Sequence, residues 1–271
     1  VIAEMIGIDE SMVEIVHGDT ANAPMGMGTY GSRSLAVGGS AMVRATEKII
    51  NKARKIAAHL MEAAEADIEL KDGAFSVAGT DKSVAWGDVC LAAYVPHNYP
   101  LEDIEPGLEE TAFYDPSNFT YPSGAYACEV EVDPETGKVS IERMLAADDF
   151  GNIVNPMIVS GQVHGGLAQG IGQALLEHCI YDDDGQLLSA SYMDYAMPRA
   201  DDLPFYEVDH SSCTPCTHNP LGVKGCGEAG AIGSPPSVVN AVVDALQSGG
   251  KNVTHVDMPL SPSRVWAAMQ G

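Results

Sequence analysis

The sequence predicts an α+β protein made of two lobes, residues 1–120 and 121–271. Leu35–Ala66 has the periodicity of a long helix, and a strand–turn–strand pattern follows it. Between Tyr94 and Tyr121 the chain is rich in Pro, Asn, Asp and Glu, which is typical of a surface connection. Strand and helix patterns resume beyond this connection, so both halves are predicted to be α+β.

The first lobe is predicted to begin with a strand. Met12–His17 alternates apolar and polar residues and ends in Gly18-Asp19-Thr20, a turn-forming sequence. After the long helix, the predicted elements are short strands at Ile68–Lys71 and Phe75–Val77 around the turn Asp72-Gly73, and a short helix at Trp86–Ala93.

The second lobe is predicted to open with a β-hairpin. Ala125–Val132 and Val139–Ala146 alternate as strands, and residues 133–137 supply the Pro and Gly of a turn. The elements predicted after the hairpin are a glycine-rich helix at Ile158–Glu177, an acidic turn at residues 182–185, and two helices that start at Ser234-Pro235 and Ser261-Pro262.

Charge and composition exclude several kinds of partner. Fourteen Lys and Arg stand against 38 Asp and Glu, and a net charge of −24 repels nucleic acid and anionic membranes. No stretch is apolar for long enough to span a bilayer. The first residues show no signal peptide, and six Cys without one favour reduced thiols and a cytoplasmic location.

One cluster has the residue types of a zinc site. His210, Cys213, Cys216 and His218 fall within nine residues but lack the long loop that separates ligand pairs in structural zinc sites. Chance clustering in a loop is the favoured interpretation, so no side chain of this chain is predicted to bind a metal.

Two segments, Gly26–Gly31 and Gly225–Gly230, have the G-x-G-x-x-G spacing of dinucleotide-binding proteins. A true fingerprint requires a buried strand that runs into the first Gly and a helix that begins within the motif. The first segment follows a polar loop that contains Pro24, and Pro235-Pro236 delays the predicted helix after the second. We therefore predict loops whose backbone N–H groups lie close to an anionic ligand.

The residues after the first glycine segment extend this prediction. Ser32 and Ser34 offer hydroxyls and Arg33 a guanidinium just before a helix, an arrangement that suits a pyrophosphate. A capped helix with a solvated Arg explains the same residues equally well. The sequence alone leaves both interpretations open.

At two further places in the sequence, both a chemical role and a simpler structural explanation are possible. The glycines of residues 161–172 favour close helix packing, although the Gln162 amide could instead contact a heterocycle or phosphate. Glu228 is either a solvated loop residue or, if the loop is buried against a cofactor, a general base. Cys226 is the rival nucleophile, and no His partner is evident near it.

Several motifs together, in their order along nearly the whole chain, resemble the large subunits of molybdenum hydroxylases. This family includes aerobic carbon monoxide dehydrogenases and the aldehyde and xanthine dehydrogenases, and the chain resembles the final third of its large subunit. The motifs that carry the resemblance are Gly28–Ser34, Glu105–Glu109, Asn118–Pro122, Asn155-Pro156, Gly161–Gly166, Asp194-Tyr195 and Lys224–Gly230.

The resemblance implies a molybdenum–molybdopterin cofactor, usually as the cytosine dinucleotide in bacterial members. Glu228 would be the catalytic base that takes a proton as oxygen from water attacks an electron-poor substrate carbon. Gln162 would contact the pterin. The implied dinucleotide or pyrophosphate contacts are Gly28, Thr29, Tyr30, Gly31, Ser32, Arg33 and Ser34, and the loop beneath the metal is Lys224, Gly225, Cys226 and Gly227.

The resemblance also implies partners and a small-molecule substrate. The partners are the remaining N-terminal part of the large subunit, an iron–sulfur small subunit and a flavin-binding medium subunit. Residues 227–234 look like the broad family version of the glutamate loop rather than that of the copper enzymes, so an aldehyde or aromatic heterocycle is as good a candidate as carbon monoxide. Two rival functions are a non-catalytic nucleotide-binding or cofactor-insertion module, and a structural piece that completes a larger subunit.

Overall fold

The computed structural model describes residues 1–22, 26–95, 97–211 and 214–271. Pro24 of the predicted polar loop and Cys213 of the histidine–cysteine cluster lie outside the described residues. The chain divides into two compact units. The first comprises Val1–Thr29, Ser34–Ser117 and Asn219–Leu221, and the second comprises Tyr30–Arg33, Asn118–His218 and Gly222–Gly271. Each unit combines helices with a three-stranded sheet, which confirms the predicted α+β class.

The first unit is built around one long helix. A π-helical turn at Leu35–Gly39 continues into α2, Ser40–Met61, which ends where Glu62 adopts a left-handed backbone conformation. This confirms the predicted long helix, although it stops before Ala66. The unit's other elements are α1 at Ile2–Ile6, the antiparallel strands β1 (Ile68–Lys71), β2 (Ala74–Val77) and β3 (Ser83–Ala85), and α3 at Trp86–Tyr94.

The core of the first unit lies where α2 and α3 pack with the small sheet. Ile56 of α2, Phe75 of β2 and Val89 of α3 are fully buried, and the Phe75 and Trp86 rings stack with centroids 5.8 Å apart. Tyr99 and Leu108 of the predicted connection are also buried there, so this segment is partly core rather than wholly surface.

The predicted strand at Met12–His17 is wrong. The chain instead makes a 3₁₀ turn at Glu10–Met12, in which the Asp9 carboxylate accepts a hydrogen bond from the Ser11 N–H at 2.8 Å. A strand is stable only when a neighbouring strand takes up its backbone hydrogen bonds. No described residue pairs with 13–17, and Ile15 is 54% exposed.

The second unit contains a long hairpin and a parallel third strand. β4 (Ser123–Val132) and β5 (Val139–Asp149) pair in antiparallel register, which confirms the predicted hairpin. β6 (Tyr206–Asp209), which the sequence did not predict, pairs parallel to β5. Helices α4 (Pro156–Leu175) and α5 (Ala229–Ser248) pack with this sheet, and α6 follows at Pro262–Gln270.

The glycines of α4 mostly allow close contact with α5. A methyl group added at Gly166 would lie 2.9 Å from the Gly230 Cα, and one added at Gly170 would collide with the Ser234 hydroxyl. Val163, Leu167 and other fully buried side chains of α4 lie in the same core as Val238 and Val242 of α5. The packing interpretation is therefore confirmed for these two glycines, whereas Gly161 and Gly165 have no atom within 4 Å of an added methyl.

The predicted helix start at Ser234-Pro235 is wrong, because α5 begins at Ala229 and runs through both prolines. The Ser234 hydroxyl donates to the Gly230 carbonyl within the helix at 2.7 Å rather than capping a helix end. Packing of Gly230 against α4 outweighs the lost N–H groups of Pro235 and Pro236. The start of α6 after Ser261 is confirmed.

Candidate functional site

The loop before α5 is anchored at its start. The Lys224 backbone N–H donates to the Phe150 carbonyl at 2.8 Å, and the Lys224 ammonium pairs with the Asp149 carboxylate at 3.1 Å. Both side chains are nearly buried, with 10% and 12% exposure. Burial alone would raise the pKa of Asp149, but the N–H groups of Gly151 and Thr214, together with Lys224, hold it well below its ordinary value. Lys224 thus shapes the loop through Asp149.

The middle of this loop lies directly against Ser32. A methyl group added at Gly225 would come within 2.5 Å of the Ser32 carbonyl oxygen and 2.8 Å of the Ser32 Cβ. The Gly225 N–H donates to the Thr120 hydroxyl at 3.2 Å. Only glycine therefore allows this loop to come so close to the Ser32 backbone.

Glu228 is the last residue before α5, and its side chain meets Ser32. The Ser32 hydroxyl donates to Glu228 Oε2 at 2.7 Å. Glu228 is exposed within this chain, at the helix end where the backbone dipoles favour negative charge. The carboxylate is accordingly oriented by a neighbour and remains accessible to a reactant.

Gln162 lies beside the same loop, near the start of α4. A methyl group added at Gly227 would be 3.2 Å from Gln162 Oε1 and 3.3 Å from the Ser32 hydroxyl. Across the described parts of the chain, the Gln162 amide has no hydrogen-bond partner. With Gly161 and Gly165 open on either side, this amide can offer both a donor and an acceptor to a planar ligand.

Cys226 is a poor candidate for the reacting group. Burial raises the pKa of the Cys226 thiol, which disfavours the thiolate that a nucleophile requires. Within the described residues, no group of three or more His, Cys, Asp or Glu could hold a metal ion. The histidine–cysteine cluster includes Cys213 and is therefore only partly described.

The residues of the first glycine segment are open. Gly28 and Gly31 adopt positive φ values of 73° and 58°, and an added methyl at either would meet no atom within 4 Å. In the first unit, the Thr29 and Ser34 hydroxyls pair at 2.8 Å. In the second unit, the Arg33 guanidinium lies 4.4 Å from the centre of the Tyr30 ring.

Five predicted site residues lie together in the second unit: Ser32, Gln162, Gly225, Gly227 and Glu228. Gly28, Thr29 and Ser34 belong to the first unit and do not contribute to this cluster. Sequence reasoning missed Asp149, and it placed Thr120 in a motif without giving it a role. An acidic residue at the end of an apolar strand was the available signal for Asp149, because a carboxylate there requires a partner.

Among the described residues, no helix has both the length and the apolar character that crossing a bilayer requires.

Comparisons with known proteins bear on what this cluster serves. Residues 1–204 match the molybdopterin cofactor-binding domain family. The chain is 44% identical to the carbon monoxide dehydrogenase large chain of Hydrogenophaga pseudoflava over 271 residues. It is 39% identical over 272 residues to the nicotine 6-hydroxylase large subunit of Paenarthrobacter nicotinovorans. Each match covers 100% of this chain and 33% of the relative, so the chain spans about a third of their length.

Solved structures agree with these relatives. The carbon monoxide dehydrogenase from Oligotropha carboxidovorans superposes with a TM-score of 0.91 at 41% identity, covering 99% of this chain and 33% of that one. Quinoline 2-oxidoreductase from Pseudomonas putida 86 gives a TM-score of 0.90 at 38% identity, covering 99% and 34%. These findings confirm the resemblance seen in the sequence, and the chain belongs to the molybdopterin cofactor-binding domain family.

Proposed function

We propose that this chain is the cofactor-binding C-terminal part of the large subunit of a molybdenum hydroxylase, with Glu228 as the catalytic base. The enzyme would oxidise a small substrate and take the added oxygen from water. The observation that carries the proposal is the hydrogen bond of 2.7 Å from Ser32 to an exposed Glu228, beside the free Gln162 amide. We retain the two lobes, residues 1–120 and 121–271, as part of this proposal.

The residues present fit a pterin cofactor. A pterin edge carries alternating donors and acceptors, and Gln162 offers one of each from a stretch where Gly161 and Gly165 leave open space. Because Gly225 and Gly227 have no side chains, a bound ligand could approach the backbone of this loop closely. We therefore assign Gln162 to the pterin, and Lys224 through Gly227 to the loop beneath the metal.

We further propose the cytosine dinucleotide form of the cofactor, with its phosphates held by Gly28–Ser34. Two observations support this assignment. Gly28 and Gly31 are open to a ligand, and Thr29, Ser32 and Ser34 bring hydroxyl groups that can donate to phosphate oxygens. Arg33 adds a guanidinium, whose planar donors match a phosphate.

When bound, the molybdenum cofactor supplies a two-electron acceptor. Hydroxylation of a C–H bond consumes one water and releases two electrons and two protons, and oxidation of carbon monoxide to carbon dioxide has the same balance. Glu228 would accept one of these protons at its carboxylate as the oxygen derived from water bonds to the substrate carbon. Ser32 holds the carboxylate in place, and the start of α5 favours its negative charge.

The substrate class and partners follow from the same proposal. The relatives are named for carbon monoxide, nicotine and quinoline, so carbon monoxide and an aromatic heterocycle are candidate substrates, and the family resemblance of the sequence adds an aldehyde. Two electrons must leave after each turnover, and this sequence has no Cys pattern suited to an iron–sulfur cluster. We therefore propose an iron–sulfur subunit, a flavin-binding subunit and the rest of the large subunit as partners.

Substitution of Glu228 tests the proposal. Glu228→Gln in the complete enzyme should lower kcat by roughly 10²- to 10⁴-fold, because loss of a general base typically has this effect. Its molybdenum and cytidine nucleotide contents should stay at wild-type levels, because the residues proposed to bind them lie elsewhere. Cys226→Ala removes the rival nucleophile of the same loop and should lower kcat far less than Glu228→Gln does.

Two results would contradict the assignment. The Gln variant could keep more than about a tenth of the wild-type rate, a smaller loss than removal of a base should cause. Alternatively, Cys226→Ala could abolish turnover with the metal still bound. A wild-type complex without molybdenum would favour the rival module that binds a nucleotide or inserts the cofactor but catalyses nothing.

A further inference from the structure

Ser32 adopts a backbone conformation that is unusual for its residue type. Its φ is 53°, in the left-handed region that costs a residue with a side chain about 1–2 kcal/mol. Glu62 and Asp72 also have positive φ, but Glu62 ends α2 and Asp72 lies in the β1–β2 turn. Ser32 lies with Gly31 in a short turn, and an interaction outside that turn also supports its conformation.

The loop before α5 supplies this interaction. An added methyl at Gly225 would meet the Ser32 carbonyl and Cβ, and one at Gly227 would lie 3.3 Å from the Ser32 hydroxyl. The Gly225 N–H is itself fixed by the Thr120 hydroxyl at 3.2 Å. The backbone of this loop therefore limits the directions in which the Ser32 side chain can point.

The Ser32 side chain points to Glu228. Its hydroxyl donates to Oε2 at 2.7 Å, and among the described residues it is the only side chain that donates to this carboxylate. A hydrogen bond from a neutral donor to a charged acceptor is stronger than one between neutral groups. Ser32, with its positive φ, and the Glu228 carboxylate are thus linked directly by this hydrogen bond.

Two cationic side chains close in sequence to Ser32 and Glu228 have other contacts. Lys224 is paired with Asp149, and Arg33 lies over the Tyr30 ring. The neighbouring Cys226 thiol is kept neutral because burial raises its pKa. Apart from the start of α5, the hydroxyl of Ser32 is the polar contact that the structure gives this carboxylate.

We propose that Ser32 is a positioning residue, whose hydroxyl orients the Glu228 carboxylate. This inference rests on the proposed function and assigns the Ser32 hydroxyl to the base rather than to a phosphate. It also accounts for glycine at 225 and 227, because a side chain at either position would press on Ser32.

Three substitutions of Ser32 in the complete enzyme test the inference. Ser32→Ala and Ser32→Gly both remove the hydroxyl, and Gly also relieves the positive φ, so a loss of rate in the Gly variant cannot come from backbone strain. Both should lower kcat by roughly 10- to 100-fold, the range expected for a lost hydrogen bond to a charged group. Ser32→Thr keeps the hydroxyl and should recover most of the rate, although its β-branched side chain fits positive φ poorly and should lower Tm.

Further measurements separate orientation of the base from a purely structural role. A crystal structure of Ser32→Gly should show a displaced Glu228 carboxylate. Ser32→Gly added to Glu228→Gln should cause no further loss of rate, because the two residues act as a unit.

Each other outcome has a definite meaning. Loss of molybdenum and cytidine nucleotide from Ser32→Gly would assign the hydroxyl to the cofactor and overturn the inference. Retention of more than about a third of the wild-type rate, well above the loss expected for this hydrogen bond, would also overturn it. If Glu228→Gln itself turned over normally, the proposed function would fail first, whereas an inactive Glu228→Gln beside an active Ser32→Gly would reject Ser32 alone.

Discussion

The two G-x-G-x-x-G segments of this chain share a spacing, but their glycines serve different purposes. Gly28 and Gly31 of the first segment have positive φ, and an added side chain at either would meet open space. Gly225 and Gly230 of the second lie against other backbone, with contacts of 2.5 and 2.6 Å to an added methyl. In the first segment glycine permits a positive φ, whereas in the second it permits close contact with other backbone.

This difference bears on the proposed function. A base must be held on a fixed backbone, and the second segment is fixed at its start by the Asp149–Lys224 pair and at its end by packing of α5 against α4. A phosphate-binding loop must instead leave its backbone reachable by a ligand. The same glycine spacing therefore accompanies a rigid support in one place and an open surface in the other.

The largest expected effect comes from breaking the anchor of the second segment. Asp149→Asn leaves the nearly buried Lys224 ammonium without its partner and should lower the free energy of unfolding by about 3 kcal/mol at pH 7. The pKa of Asp149 is depressed in the folded state, so its stabilisation is complete above the unfolded-state pKa of about 4. The gap between the wild type and the variant should therefore narrow as the pH falls below about 4.

Urea unfolding at several pH values measures this gap. Asp133→Asn is the control, since Asp133 also accepts hydrogen bonds, from the Thr136 hydroxyl and the Glu135 N–H, but is only half-buried in the β4–β5 turn. Its substitution should change stability far less. Equal losses in the two variants would show that Asp149 is no more than a turn residue and that the loop is not anchored by its pair with Lys224.

An intermediate effect should come from the α4–α5 contact. Gly166→Ala would place a methyl 2.9 Å from the Gly230 Cα and 3.0 Å from the Ala231 N, and it should destabilise by about 1–3 kcal/mol as overpacking does. Its neighbour Gly165 faces open space, so Gly165→Ala should stabilise α4 by up to about 1 kcal/mol. Opposite shifts in Tm are expected, and a stabilising Gly166→Ala would show that the helices can separate freely.

Much of the fold could be predicted from local sequence. The β1–β2 hairpin follows from Asp72-Gly73, whose positive φ values of 47° and 73° are those that a tight turn requires. Predictions failed where tertiary contacts decide. The sequence of residues 206–209 has no local pattern that predicts a strand paired with β5. The start of α5 is set by contact of Gly230 with α4 rather than by the prolines of this helix.

The site was predictable in its residues but not in its arrangement. Motif spacing singled out Ser32, Gln162 and Glu228, yet each lies in a different segment, and only the fold brings the Ser32 hydroxyl to the carboxylate. Lys224 could be recognised as part of the loop, whereas its partner Asp149 lies 75 residues away in sequence. Contacts between distant segments leave no local pattern, so sequence reasoning could not foresee that the Ser32 hydroxyl meets Glu228.

The smallest expected effect on stability tests the first segment. Gly28→Ala places a side chain at a φ of 73° and should cost about 1 kcal/mol, whereas Gly28→Asn should cost less, because Asn tolerates positive φ. If the segment serves only its own conformation, the Asn variant will keep its full complement of cytidine nucleotide and molybdenum. We expect it instead to fold normally but lose nucleotide, because its side chain occupies space that the proposed phosphate contact requires. Normal nucleotide content in Gly28→Asn would remove Gly28 from the cofactor site, and reduced Tm with retained nucleotide would show that the loop needs glycine for its backbone alone.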